Sequence, residues 1–384
     1  MIIEIKGVQF VNKGAELMLY AVLQRIRLYW PEAKIALAPN VNSSYENRAK
    51  LGALQKISLS KYPFDFNFIA YILPKRIRDY LKSWGIVTEA DIDVVLDASG
   101  FAYGDQWNPV LLKNALKEAK RAAKHKRKYI FLPQAFGPFT NPKHAKLIQE
   151  MMHYPSLVCA REQQSFQHIS ALSPNGDNVK VYPDFTNALI AQTPDNIDAY
   201  QQGACLIPNY NMLSAKNPNK GWIKSYIDLF VYAAEQCLKA GVKPYLLNHE
   251  GAQDLAICQQ INQCLSQPLE IVVEPHPEKV KGYIKHAQLI VCSRFHGCVS
   301  ALSQAIPCIG TSWSHKYEEL FSEYGAGNFL VHDQWQHEEV ETLIAAALNR
   351  TPELMANLTL KSEHYKALTE QMWTEVVKTV NGVK

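Results

Sequence analysis

Short runs of aliphatic and β-branched residues alternate along the whole chain with longer stretches in which apolar positions recur every three or four residues. That alternation predicts an α/β protein on parallel strands, because each return to the same sheet edge needs a helical crossover. In the first half the runs Ile2–Ile5, Lys34–Ala38, Ile92–Leu96, Tyr129–Leu132, Leu157–Ala160 and Val179–Tyr182 read as strands. Between the first two, Gly14–Trp30 sets Leu17, Ala21, Gln24 and Leu28 on one helical stripe, and Pro31 ends it. A polar stretch rich in Pro, Asn and Gln, 192–202, then breaks the rhythm. Strands resume at Ala204–Ile207, Pro244–Leu247, Leu269–Val273, Leu289–Cys292 and Cys308–Gly310, with helices at Gly221–Ala240, Ala252–Leu265 and Phe295–Gln304. Glu338–Val380 reads as mainly helical. The expected division is a domain over 1–195, a second over 196–345, and a helical segment, 346–384, returning to the first.

A length of 384 residues fits two domains, and 47% apolar against 20% charged residues gives enough material for two cores, which excludes a disordered chain. The net charge of +4 is too small for a general nucleic-acid binder, so an anion site must be local. The opening residues lack the pattern of a signal peptide and no apolar run reaches the roughly 18 residues of a membrane span, so a soluble, cytoplasmic protein is expected. The eight cysteines form no Cys-x-x-Cys pair and read as reduced core thiols, and no His/Asp spacing recommends a metal.

The segment Leu289 to Gly297 runs from a strand through Ser293, Arg294 and His296 into a helix. Loops at the carboxyl ends of parallel strands form the ligand crevice of such sheets, and helix-start amides add an anion site. Arg294 offers a planar fork to carboxylate or phosphate, and His296 can exchange a proton near neutral pH. The alternative is that Arg294 pairs with a structural carboxylate while His296 caps the helix or fills the core. Arg161, at the end of Leu157–Ala160, is a second candidate anion ligand or, beside Glu162, a surface pair, and Lys316 is a third candidate or a solvated lysine. Asp97 and Ser99 end another strand, with Asp105 in the turn that follows, and Asp97 either meets a ligand or caps that turn. Gln134 can hydrogen-bond a sugar, and Asn12 and Gly14 either touch a ligand or cap a helix. His249 and Glu250 follow the Pro244 strand and either line the crevice or belong to a helix cap. The glycines near the amino terminus do not match the dinucleotide fingerprint. Two basic stretches remain. Residues 113–128 carry eight Lys or Arg against one Glu, read first as a solvated helix face and second as a surface attracted to anionic lipid, and Tyr71–Trp84 mixes bulky apolar with cationic groups in the manner of an interfacial helix or, equally, of a partner-binding or buried one.

Taken in order, Asn12-Lys13-Gly14-Ala15-Glu16, the Asp93–Gly100 strand, Gln134–Pro138, Arg161-Glu162 with Ser165, Tyr182-Pro183-Asp184, and Ser293-Arg294-Phe295-His296 with Pro307 and Lys316 resemble the polysaccharide pyruvyl transferase family. The resemblance covers most of the chain. It implies two Rossmann-like domains in the B-type glycosyltransferase architecture, the first on the acceptor side and the second on the donor side. It further implies transfer of pyruvate from phosphoenolpyruvate, a co-substrate and not a bound cofactor, to two hydroxyls of one sugar as a cyclic ketal, in capsular or exopolysaccharide synthesis. Arg161, Ser293, Arg294, His296 and Lys316 would hold the donor, with His296 and Arg294 catalytic. Asn12, Asp97, Ser99, Asp105, Gln134, His249 and Glu250 would serve the acceptor, and Asp97, Asp105, His249 and Glu250 are alternative bases for its hydroxyl. A lipid-linked acceptor would place the protein at the inner membrane face, and an oligomer is compatible. The competing readings are a nucleotide-sugar glycosyltransferase, with Glu318 and Glu319 on a ribose, and a non-catalytic sugar- or anion-binding protein.

Overall fold

The computed structural model describes the chain apart from residues 62–63, 174–175, 215–216, 218, 313 and 383–384. The strands of the first half are β1 (Ile2–Lys6), β2 (Lys34–Leu37), β3 (Leu54–Lys56), β4 (Ser60–Lys61), β5 (Phe64–Asp65), β6 (Ile86–Val87), β7 (Val94–Asp97), β8 (Lys128–Gln134), β9 (Leu157–Ala160) and β10 (Val179–Val181). The helices among and after them are α1 (Lys13–Tyr29), α2 (Tyr45–Lys50), α3 (Lys75–Ser83), α4 (Pro109–Lys124), α5 (Pro142–Met151) and α6 (Gln163–Ser170). Apart from the antiparallel hairpin β4–β5, the strands form one sheet in the order β10-β9-β8-β7-β1-β2-β3-β6. Its ladders are parallel, as between β1 and β7. The chain lays strands outward from β1 to β6 and then crosses to the other side of β1 at β7, so the switch point lies between β1 and β7. Strands β7 and β9 are buried throughout, which is why they are continuous apolar runs rather than alternating ones.

The second half contributes β11 (Ala204–Ile207), β12 (Pro244–Asn248), β13 (Ile271–Val273), β14 (Leu289–Cys292), β15 (Cys308–Thr311) and β16 (Leu330–Val331). Its helices are α7 (Trp222–Lys239), α8 (Gly251–Cys264), α9 (Pro277–His286), α10 (Phe295–Leu302), α11 (His315–Glu323), α12 (His337–Asn349) and α13 (Pro352–Asn381). The sheet order β13-β12-β11-β14-β15-β16 is the doubly wound pattern, with its switch point between β11 and β14. Trp222, Tyr226 and Phe230 from α7 and Val299 and Leu302 from α10 are fully or almost fully buried in this unit's own core.

The chain divides into two compact units, one of Met1–Val11, Met18–Phe185 and Leu368–Lys384, the other of Asn12–Leu17 and Thr186–Ala367. The change at Phe185 precedes the polar stretch 192–202, which belongs to the second unit. There Gln192 N–H donates to the Glu278 carbonyl at 3.0 Å and Lys279 pairs with Asp195 at 2.7 Å. In the first unit the end of α13 buries Met372, Trp373 and Val376 completely. It is tied to α1 by Arg25 Nη1 donating to Glu370 at 2.7 Å and Trp30 donating to Asn381 at 3.1 Å. Helix α1 is therefore buried on more than the predicted stripe: Leu17 and Ala21 are inside, Met18, Leu19, Val22 and Ile26 join them, and Leu28 is 64% exposed. All eight cysteines are free thiols, seven buried and Cys264 exposed. Among the described residues no helix is long and apolar enough to cross a membrane.

Candidate functional site

In the second unit β12 runs into His249 and Glu250, and β14 into Ser293 and Arg294, beside the switch point. Arg294 occupies the N-cap of α10 with extended backbone, φ −100° and ψ 124°. Its side chain reaches the first turn of α8, where Nε and Nη2 donate to the two oxygens of Asp254 at 2.8 and 2.5 Å and Nη1 donates to Glu250. Asp254 is fully buried and also accepts the Tyr210 N–H at 2.9 Å. Burial raises the pKa of Asp254 and of Glu250 against the opposing charge of Arg294. Burial works against the Arg294 charge, but Asp254 and Glu250 outweigh it and raise the guanidinium pKa. Arg294 thus has structural carboxylate partners, as the alternative reading of the sequence had it, and any incoming anion competes with Glu250 for Nη1. Glu250 is the more accessible carboxylate, its side chain 22% exposed against 0% for Asp254.

Ser293 is fully buried, its hydroxyl accepting from Thr311 at 2.7 Å. Its carbonyl accepts from Asn209 and from the Tyr317 hydroxyl, both at 2.9 Å. These bonds lock the β14–α10 corner. His296 lies one residue into α10 with its ring edge-on to Phe295, 5.5 Å between centroids. The Asn12–Leu17 turn, part of this unit, packs on it: a Cβ at Gly14 would overlap the His296 ring. Asn12 caps α1, its carbonyl accepting from Glu16 N–H at 2.9 Å and its Oδ1 from Ala15 N–H at 3.2 Å, and its side chain also hydrogen-bonds Glu250. Lys13 donates to Glu16 at 2.5 Å and to the Pro275 carbonyl. Lys316 sits over the Phe295 ring, Nζ 4.8 Å from its centroid.

His249 stands apart. The residue is 2% exposed, and neither ring nitrogen has a hydrogen-bond partner among the described residues. Burial pushes its pKa well below the ordinary 6.5, and the charges of Arg294, His296 and Lys13 act in the same direction. Both effects favour the neutral ring. An unfolded chain would bind a proton there near pH 6.5 while the folded one does not. The contribution to stability is therefore complete above that pH and falls as pH drops below it, by at most about 1.4 kcal/mol per pH unit. Urea melts of the wild type and His249→Asn across this range should show the shallower pH dependence in the variant. Equal slopes would mean the ring is protonated or exposed.

In the first unit Asp97, fully buried, accepts from Ser99 N–H at 3.1 Å and Ser99 Oγ at 2.5 Å on one oxygen. The other oxygen accepts from Tyr103 and Tyr129 hydroxyls at 2.8 and 2.9 Å. Both oxygens are occupied, so Asp97 organises the turn after β7. Gln134 donates to the Asp97 carbonyl at 3.4 Å, and its buried Oε1 has no partner among the described residues. Asp105 accepts from Thr140 N–H and hydroxyl, each at 2.6 Å, and pairs with His144 at 2.9 Å, which also makes it a loop organiser. Arg161 lies 3.6 Å from both Glu162 and Asp184.

A cavity of about 360 Å³ opens beside β1 and β7, lined by Lys6, Lys56, Ser99, Tyr103, Asn114 and Glu118 among others. Lys56 bridges Glu4 at 2.6 Å and Glu118 at 2.5 Å, and Lys6 joins Glu118 at 2.6 Å. Burial pushes the Glu4 carboxyl up to about 7, with Lys56 opposing it. Burial acts the same way on Glu118, but Lys56 and Lys6 outweigh it and hold that carboxylate well below its usual range.

The structure therefore gathers Asn12, His249, Glu250, Arg294 and His296 in one unit and Asp97, Ser99, Gln134, Asp105 and Arg161 in the other. Sequence reasoning missed the Arg294–Asp254 fork; the available signal was the i, i+4 spacing of Glu250 and Asp254. It also missed Asn209 and Tyr317, whose role on the Ser293 carbonyl leaves no trace in spacing. Among the described residues no group of His, Cys, Asp and Glu could hold a metal.

A family model described as polysaccharide pyruvyl transferase matches residues 12–315. No curated protein matches the chain significantly. Among solved structures, a putative UDP-N-acetylglucosamine 2-epimerase from Listeria monocytogenes aligns with TM-score 0.63 at 7% identity, covering 100% of this chain and 97% of that one. A UDP-GlcNAc 2-epimerase from Neisseria meningitidis, bound to UDP-GlcNAc, gives 0.58 at 10% identity with 99% of each chain covered. MurG from Acinetobacter baumannii gives 0.51 at 11%, covering 100% and 99%. At these identities the likeness is one of fold, and it places the two parallel sheets in the B-type glycosyltransferase architecture.

Proposed function

Because the chain belongs to the polysaccharide pyruvyl transferase family, we propose that it moves pyruvate from phosphoenolpyruvate onto two hydroxyls of one sugar as a cyclic ketal, in capsular or exopolysaccharide synthesis. The observation that carries this reading is the pair of histidines that follow β12 and β14, His249 being 2% exposed with neither ring nitrogen bonded among the described residues and His296 one residue into α10. His296 protonates the donor's methylene carbon, which becomes a methyl group, and C2 takes on oxocarbenium character. A sugar hydroxyl attacks C2 and loses its proton. A second hydroxyl of the same sugar then displaces phosphate, closing the ring. Of the two hydroxyl protons, one restores His296 and the other is taken up by the hydroxyl's base and passed on to the leaving phosphate, so the reaction needs no outside proton or electron.

Four bases for the hydroxyl were open from sequence. Asp97 and Asp105 have their oxygens engaged, and Glu250 holds Arg294 and Asn12. His249 is the one whose acceptor nitrogen is uncommitted, and a neutral imidazole can take a proton. Arg294 and Lys316 supply cations toward the donor's carboxylate and phosphate, with Glu250 yielding Nη1 as the donor enters.

Incubation with phosphoenolpyruvate and candidate saccharides, lipid-linked ones included, should release phosphate and give a product heavier by pyruvate less water. The fold likeness to proteins named for UDP sugars favours a second reading, transfer from a nucleotide sugar. Release of UDP from UDP-sugars, with no phosphate from phosphoenolpyruvate, would establish that reading and overturn the first. Binding of either donor without turnover would support a non-catalytic protein.

A further inference from the structure

We propose that the first unit carries a docking surface for an anionic lipid bilayer, formed by α3 and the aromatic segment before it; this inference stands independently of the pyruvyl-transfer reading. A helix at the surface of a folded protein normally turns its apolar stripe to the core. Helix α3 does the reverse. None of its nine residues is buried. Arg78 faces the protein, donating to Asp91 at 2.8 Å and to the Ala90 carbonyl at 3.1 Å, and Lys82, one turn on, lies 3.6 Å from the same Asp91. The outward stripe, at i, i+3 and i+7, is Ile77, Tyr80 and Trp84, exposed by 47%, 64% and 69%.

The preceding segment shows the same inversion with a period of two. Asp65 pairs with Arg121 at 2.9 Å and Asn67 accepts the Leu59 N–H at 2.8 Å, so the polar residues point inward. Phe64, Phe66 and Phe68, which alternate with them, are each about half exposed or more, and their rings form a row with centroids 6.0 and 6.5 Å apart. Two adjoining elements thus hold polar side chains against the protein and present aromatic and aliphatic ones to solvent. Contiguous apolar surface of this kind marks an interaction site.

The surrounding charge selects the partner. Lys75 and Arg76 on α3 are exposed, as are Lys124 and Lys126 at the end of α4, against one exposed carboxylate on α3, Asp79, which lies 3.6 Å from Lys82. That end adjoins the segment, since Tyr71 stacks on His125 at 3.9 Å and Arg127 lies 5.7 Å over the Tyr71 ring. Bulky aromatics within a rim of Lys and Arg match the interface of an anionic bilayer, where rings sit at headgroup level and cations meet phosphate. A second copy meeting this face about a two-fold axis would bring like rims together.

The test is co-sedimentation of the full chain with phosphatidylcholine vesicles and with phosphatidylcholine–phosphatidylglycerol vesicles. Partition is expected on the mixed vesicles, falling as salt is raised. Lys75→Gln with Arg76→Gln should weaken it about fivefold for each cation removed. Ile77→Ser with Trp84→Ser should weaken it more than about tenfold while the melting curve stays that of the wild type, since neither side chain is buried. Absence of partition at low salt, equal partition on neutral vesicles, or partition unaffected by both variants would overturn the proposal. So would a concentration-dependent dimer that the Ile77/Trp84 variant dissolves, which would assign the surface to a second copy.

Discussion

Replacement of His296 by glutamine is expected to lower the rate of phosphate release from phosphoenolpyruvate by about 10²- to 10⁴-fold, the range for loss of one positioned proton donor. Glutamine has nearly the imidazole's reach and no transferable proton near neutral pH, so the packing on Phe295 and Gly14 is retained. The melting temperature should therefore stay close to wild type, and the donor KM should change far less than kcat. A variant with wild-type kcat would remove His296 from the chemistry. His249→Asn offers the complementary result: a loss of kcat together with the acidic-side limb of the pH profile would identify the hydroxyl's proton acceptor, whereas an unchanged pH profile would leave that ring a buried spacer.

The largest effect on stability is expected at Asp254. Its two oxygens take both arms of the Arg294 fork in a fully buried position. Asp254→Ala would leave a guanidinium without its principal counter-charge. Breaking one partner of such a pair costs about 3–5 kcal/mol, which corresponds to a Tm lower by roughly 6–20 °C for a unit of this size. Removing both charges, Asp254→Ala with Arg294→Met, should recover much of the loss, because the cost lies in the uncompensated charge rather than in the missing pair. Thermal melts of the two single variants and the double variant measure this directly. Arg294→Lys with Asp254 intact should also lower the melting temperature, since a point charge cannot span both carboxylate oxygens. If Asp254→Ala melted within about 1 kcal/mol of wild type, Arg294 would be held by other groups.

What the chain reveals in advance follows from the physics of each element. Leu289–Cys292 and Leu157–Ala160 are legible to the residue, because a parallel strand buried on both faces must be an unbroken apolar run. Strands β3, β6 and β16 were not foreseen. At two or three residues they have no period, and they exist because a neighbouring strand offers them a ladder. Helix α1 was foreseen but not its burial: Leu28 fits a one-sided stripe, and only the return of α13 explains why other positions are inside instead. The site divides the same way. Arg294 and His296 stand out through their place after an apolar strand, whereas the identity of the carboxylates on Arg294 depends on where α8 starts, 44 residues away in the case of Glu250. The inverted alternation in Phe64 to Phe68 is visible in sequence as a period of two, but which phase faces the protein is set by Arg121 on a later helix.

The placement of the cysteines has a practical corollary for studying this molecule. Seven of the eight thiols are enclosed in the interior, where burial pushes those of Cys237 and Cys258 up to about 12 and so keeps them from the reactive anionic form. Cys264, at the end of α8, is the exception. The native chain thus comes with a built-in attachment point: a maleimide fluorophore should modify the second unit at one position without any engineering, and report on ligand entry from the far end of the same helix that carries Asp254.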